Sequence, residues 1–314
     1  MTILTHDADA VRSSRLASGL GLAALSAMSF GLSGPLARGL LDTGWTAGAA
    51  VTVRVLLAAA VLIVPAALSL RGQWHRVRVN AGLLAAYGLI GVAGCQLAYF
   101  NAVGHMDVGV ALLIEFTCPV VVVGWMWLRH SQRPGRLAVA GAVLAAAGLV
   151  LVLNVVAGAD VDGIGVLWAL GAMIGAAVYW IISADDDTGL PPLALAAGGL
   201  LTGGTTLAIA GLVGVIPFAA TTADVTFAHG TVPWWVPIGA LGVVTAALAY
   251  VFGIAASRRL GSRLASFVGL SEVLFALVFA WLLLEQAPTA TQLAGGALIL
   301  LGVVVVKLGE RSID

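Results

Sequence analysis

Three charged residues lie deep inside otherwise apolar stretches: Arg54, Glu115 and Glu272. A charge in hydrocarbon is expensive, on the order of 2.5 to 3.5 kcal/mol for an Arg at mid-helix, so such side chains turn toward protein or a water-filled cavity. Arg54 and Glu115 each lie about eight residues into their stretches, which at ~1.5 Å per residue puts them at similar depth. Two uses are open to them. They can form a fixed ion pair tethering two helices, or line a polar cavity in which Arg54 receives a carboxylate and Glu115 an ammonium. For Glu272 the alternatives are a carboxylate that binds and releases a proton, since burial favours the neutral acid, and a backbone-bonded helix tie. Nearby polar residues are Gln96, Tyr99, Asn101, Thr117, Tyr179, Trp180, Ser183, Tyr250, Ser266 and Ser271. Each must find a partner inside lipid. Gln96, Tyr99, Thr117, Trp180 and Tyr250 join the three charges as candidate substrate-binding or coupling residues.

The elements holding these residues are transmembrane helices. The chain is 61% hydrophobic and 10% charged, against about 25% charged in a soluble domain. At roughly 20 apolar residues per span, its 314 residues have room for ten helices. The spans fall near 17 to 37, 46 to 70, 80 to 103, 107 to 128, 136 to 157, 162 to 183, 190 to 216, 233 to 257, 261 to 283 and 289 to 308. Only Gly104, His105 and Met106 separate the third from the fourth. The fold class expected is an all-α membrane protein.

With the N-terminus in the cytoplasm, the inner segments hold Arg12, Arg15, Arg71, Arg76, Arg78, Arg129, Arg133, Arg136, Arg258, Arg259, Arg263, Lys307 and Arg311. Arg38 alone lies outside and Arg54 within a span. The positive-inside rule therefore puts both termini in the cytoplasm. The acidic loop Asp185, Asp186 and Asp187 departs from the pattern, but acidic residues weigh little in it. Cys95 and Cys118 both lie inside spans, so a disulfide framework is not expected. The first apolar run is too long for a signal peptide and reads as a mature helix.

A repeat runs through the chain. Leu97, Ala98 and Tyr99 recur as Leu248, Ala249 and Tyr250, and Pro134, Gly141 and Gly148 recur as Pro288, Gly295 and Gly302. The boundary falls near 158 to 162, giving a tail at 1–16, five-helix repeats at 17–157 and 158–308, and a tail at 309–314. Five crossings per half make the repeats inverted. Such an arrangement supports inward- and outward-open states around a midplane site. The proline pair sets an offset of 154 (288 − 134), which pairs Glu272 with Cys118, about one helical turn from Glu115.

The segments Ala50-Val51-Thr52-Val53-Arg54, the run through Pro119, and Ser271-Glu272 through Glu285, Gln292, Gly295 and Gly302 resemble the drug/metabolite transporter superfamily in its ten-helix EamA-domain form. The resemblance covers about residues 17 to 308. Glu115-Phe116-Thr117-Cys118-Pro119 and Glu272 are similar to the threonine and homoserine exporter branch. Val273, where that branch has Pro, and Ser131, where many first repeats have Glu, depart from it. The resemblance implies an inner-membrane secondary transporter exporting small amino acids or related metabolites such as threonine or homoserine; proton antiport is the hypothesis that a proton-binding Glu272 would add.

Other classes fit less well. The five histidines fall in tails, loops or span ends, and there is no zinc spacing, nucleophile elbow or P-loop. An enzyme, a cofactor and ATP-driven pumping are therefore not expected, and a net charge of zero gives no nucleic-acid footprint. The longest connection, about 217 to 232, is too short for a soluble output domain. An exporter of cationic drugs or amines is the runner-up, with Arg54 structural; the first span lacks the carboxylate that small multidrug relatives use.

Overall fold

The computed structural model describes residues 2–103, 105, 108–153 and 162–310. The expected boundary near 158 to 162 lies almost wholly outside them, as do Gly104 and Met106 between the third and fourth spans. The protein is an all-α membrane protein, with eight helices among the described residues long and apolar enough to cross a bilayer.

Helix α1 (Thr2–Gly31) includes most of the expected N-terminal tail and leads through Leu32 into α2 (Ser33–Asp42). The break falls just ahead of Pro35, whose ring and missing N–H cannot continue the ladder to Gly31. Helix α3 (Ala47–Ser69) carries Arg54; short helices α4 (Trp74–Val79) and α5 (Ala81–Ala86) follow. The third span then widens into a π-helical segment, Tyr87–Gly94, before α6 (Cys95–Val103). Next come α7 (Val108–Glu115), α8 (Cys118–His130), α9 (Arg136–Val152), α10 (Gly163–Ala184) and α11 (Pro192–Leu212).

Strands β1 (Val225–Phe227) and β2 (Gly230–Val232) form an antiparallel hairpin in the connection expected to be plain loop. After it, α12 (Trp235–Gly242), a second π-helical segment (Val243–Leu248) and α13 (Ala249–Gly269) run on as one apolar stretch of 35 residues. Gly261 breaks that stretch at φ 79° and ψ 161°, a conformation that favours glycine. Helix α14 (Glu272–Leu284) has 13 residues and α9 has 17, so each is shorter than the spans read from sequence. Helix α15 (Ala290–Glu310) ends the described chain.

Several backbone features recur 154 residues apart (285 − 131). Ser131 and Glu285 both adopt left-handed φ, 56° and 58°. The helix breaks at Phe116-Thr117 and again at Leu270-Ser271. At each break a hydroxyl bonds the carbonyl three residues back, Thr117 to Ile114 and Ser271 to Val268, both at 2.6 Å. Pro119 explains the first break, because it cannot donate to the Glu115 carbonyl; the second forms with Val273 in the equivalent place. Helices α9 and α15 pack glycine on glycine. A Cβ on Gly141 would meet the Gly302 carbonyl oxygen at 2.6 Å, and one on Gly148 the Gly295 oxygen at 2.5 Å.

The two ends of the bundle are built differently. At one, the hairpin seals an apolar cluster of Leu36, Leu40, Trp45, Val225, Ile238 and Leu241. There Thr46 N–H donates to the Ala219 carbonyl (2.9 Å) and Ala228 N–H to the Leu283 carbonyl (2.8 Å). At the other, arginines gather. Arg76 donates to the Gly189 carbonyl, Arg263 to that of Gln132 (3.1 Å) and Arg15 to that of Arg258 (3.0 Å). Asp186 sits 3.2 Å from Arg258 Nε and 3.9 Å from Arg15 Nη2, so the acidic loop lies on arginines of other segments.

Candidate functional site

Arg54 is a buried residue of α3. Its Nη2 donates to the Thr245 carbonyl (3.2 Å), which belongs to the second π-helical segment, and its Nε has no hydrogen-bond partner. A wide π turn loosens the ordinary ladder, and such turns are frequent at functional sites. No ion pair among the described residues joins Arg54 to Glu115 or Glu272. The fixed tether considered from sequence is therefore absent here, and Arg54 anchors instead on main chain.

Glu115 and Glu272 are half-buried. Glu115 ends α7, and its Oε1 lies 3.5 Å from the Cys95 thiol, which also approaches the Ala172 carbonyl at 3.4 Å. Glu272 begins α14, directly after the break at Leu270-Ser271, and its backbone packs against Gly31 of α1. Glu272 lies close enough to feel the charges of both Glu115 and Arg54. Cys95 of α6 beside Glu115, and Gly31 of α1 beside Glu272, put protein against both residues.

The other expected residues distribute around this core. Tyr99 lies within electrostatic reach of Glu115 and Glu272 and packs on Ala102, Ala111 and Ala169. Tyr250 is buried, close to Arg54 and Glu272, with its ring edge-on to Phe30 and to Tyr179 at 5.4 Å in each case. Thr117 bonds the Ile114 carbonyl and lies 3.2 Å from Met173 Sδ, which makes it part of the helix break. Trp180 packs edge-on to Tyr179 at 4.9 Å and beside Cys118. Gln96 is half-buried without a hydrogen bond among the described residues. Both cysteines are free and buried.

Further residues enter from the structure. Tyr87, fully buried, stacks on Tyr179 at 5.8 Å and shares a hydrogen bond with Ser183 at 3.2 Å. Ser26 donates to the Ala249 carbonyl (2.8 Å) alongside Gly253. Hydropathy does not single out Tyr87 or Ser26, because each reads as an ordinary residue of an apolar span; the π-helical backbone and the ring contacts identify them. Below this layer opens a cleft of about 810 Å³ lined by Arg15, Asp186, Arg258 and Arg259 with Ser14 and Ser18.

Residues 17–154 and 163–308 each match the EamA-like transporter family. A Salmonella typhimurium protein named "Uncharacterized inner membrane transporter YicL" is 22% identical over 237 residues, covering 74% of this chain and 75% of its own. A solved crystal structure aligns over 96% of this chain and 99% of its own with a TM-score of 0.75 at 20% identity, a likeness of fold. Together with the apolar helices, these matches make the protein a multi-pass inner-membrane protein.

Proposed function

The chain belongs to the EamA-like transporter family, and on that premise we propose that this membrane transporter exports small amino acids, threonine and homoserine first among them, in exchange for protons. The observation that carries the reading is the composition of the spans away from either end: the buried Arg54 guanidinium, its Nε unpartnered, together with two half-buried carboxylates, Glu115 and Glu272. A zwitterion needs one site of each sign, and the second carboxylate is left to carry a proton. Arg54 would receive the substrate carboxylate, Glu115 the ammonium, and Glu272 the proton, with Tyr99, Tyr250, Gln96, Thr117 and Trp180 around them.

We take the working architecture as ten spans in two inverted repeats, 17–157 and 158–308, between tails at 1–16 and 309–314. Support comes from the two tandem family matches, from the backbone features recurring at an offset of 154, and from the reciprocal glycine contacts of α9 and α15. Ten crossings need α9 to span with its 17 residues, and residues 262–284 to span across the break before Glu272. The arginine-rich end then faces the cytoplasm, with both termini. A second reading, export of cationic drugs or amines, draws on the tie between Arg54 and the Thr245 carbonyl, which makes Arg54 structural and leaves the carboxylates and tyrosines for the cargo.

The test is counterflow in proteoliposomes across a panel of amino acids and amines, with wild type beside Glu272→Gln. Counterflow of threonine or homoserine that depends on pH in wild type and not in the variant is the expected result. Counterflow of amines alone, from folded protein, would replace this reading with the second one.

A further inference from the structure

The carboxylates and the arginine-lined cleft lie at different depths, and what separates them is aromatic. Arg54 sits about 22 Å from the arginine-rich end of α3, and Glu272 about 16 Å from the turn at Gly261 counted along the last part of α13 and through the break before α14, at ~1.5 Å per residue. Tyr179 sits about 7 Å from its own end, on α10. Arg258 lies at the floor of the cleft, and beyond it stand Tyr87, Tyr179 and Tyr250, 0%, 7% and 5% exposed. They come from the third span, α10 and α13, and Tyr179 is the ring that touches the other two, Tyr87 on one side and Tyr250, near the depth of the central charges, on the other.

Two of these rings are held differently. Tyr87 lies on Gly199 and keeps a hydrogen bond to Ser183. The Tyr179 hydroxyl is buried and has no partner, and an unsatisfied buried hydroxyl is a standing cost to the closed arrangement. It occupies a socket against Gly253, where a Cβ would fall under 3.0 Å from both Tyr179 Oη and Ser26 Oγ. The Tyr179 side chain is thus held by packing against Tyr87, Trp180 and Tyr250 and by no hydrogen bond among the described residues.

We propose that Tyr179 is the cytoplasmic barrier of the transport path, a ring that closes the central charges off from the arginine-lined cleft, with Gly253 as the socket that lets it close. The assignment rests on the transporter reading. It is a role for the ring rather than the hydroxyl, which separates it from a proton relay through the tyrosines: a relay needs the oxygen, and a barrier needs only the bulk.

Cys95 reports on it directly, because its thiol lies beside Glu115 beyond the tyrosine layer. In a Cys118→Ala background reconstituted in liposomes, Cys95 modification by a membrane-impermeant cationic methanethiosulfonate would be timed from each face. Tyr179→Ala should speed modification from the arginine-rich face about tenfold or more, by raising the population of open protein, and leave the other face unchanged. Tyr179→Phe should label like its parent. Gly253→Ala should also open that face, because the new methyl collides with the Tyr179 hydroxyl and less closely with Ser26 Oγ, and adding Tyr179→Phe should restore most of the protection by removing the nearer atom. Unchanged labelling in folded Tyr179→Ala, acceleration from both faces, or opening by Tyr179→Phe alone would each overturn the proposal. The assay needs no substrate, so failed counterflow beside successful labelling would retire the amino-acid reading and leave the barrier standing.

Discussion

The hairpin end and the arginine end close the same bundle by opposite chemistries. At the hairpin end, Leu40 and Val225 are fully buried; one main-chain bond, Thr46 to Ala219, and bonds from the Trp45, Thr46 and Thr221 side chains to main-chain carbonyls join residues 43–46 to 217–221, and a main-chain bond joins the hairpin to α14. At the arginine end, Arg258 Nε lies 3.2 Å from Asp186 but is not aligned to donate to it; the Asp186 and Arg15 side chains are 54% and 61% exposed, and that of Arg258 is 13% exposed. Packed apolar surface and main-chain bonds are indifferent to salt, whereas exposed ion pairs are weak and screened. The hairpin end is therefore the stiffer of the two in this conformation, and the arginine end the easier to open.

Three substitutions test the contrast. Leu40→Ala removes a fully buried side chain beneath the hairpin and should destabilise by about 2 to 5 kcal/mol, seen as a lower Tm in detergent with little response to salt. Trp45→Phe deletes the indole N–H that donates to the Thr221 carbonyl at 2.8 Å, which should cost about 0.5 to 1.5 kcal/mol, again without salt dependence. Asp186→Asn takes the shared acid from Arg15 and Arg258. Its effect should fall within about 0 to 1 kcal/mol and vanish by ~1 M salt, where the screening length is about 3 Å. A salt-insensitive loss at Asp186 as large as that at Leu40 would erase the distinction between the ends.

Hydropathy carried the sequence reading a long way, because apolar length is what a bilayer demands and what a window detects. Its limits follow from the same cause. The expected spans 233 to 257 and 261 to 283 part where the backbone turns at Gly261, but the second break, at Leu270-Ser271 just before Glu272, leaves no mark in hydropathy. The hairpin was hidden in a polar connection whose two strands have three residues each. At the site, Arg54, Glu115 and Glu272 stood out by their cost in lipid, and the structure gathers them with Tyr250 and Tyr99. Two features escaped because they concern partners rather than residue types: the carbonyl that holds Arg54 is main chain, and the thiol beside Glu115 belongs to a residue read only for its lack of a disulfide. The acidic loop, an exception to the charge pattern, becomes intelligible once Asp186 is seen between Arg15 and Arg258.

The glycine contacts of α9 and α15 act as a vernier. Gly141 faces the Gly302 carbonyl and Gly148 faces that of Gly295, two marks seven residues apart on each helix. Sliding either helix by one residue would set a side chain such as Ala142 or Leu149 against a carbonyl that now has room only for hydrogen. The pair can tilt or swing as one body, but neither member can travel along the other. Whatever rearrangement carries cargo across the membrane must move these two helices in step or leave both where they are.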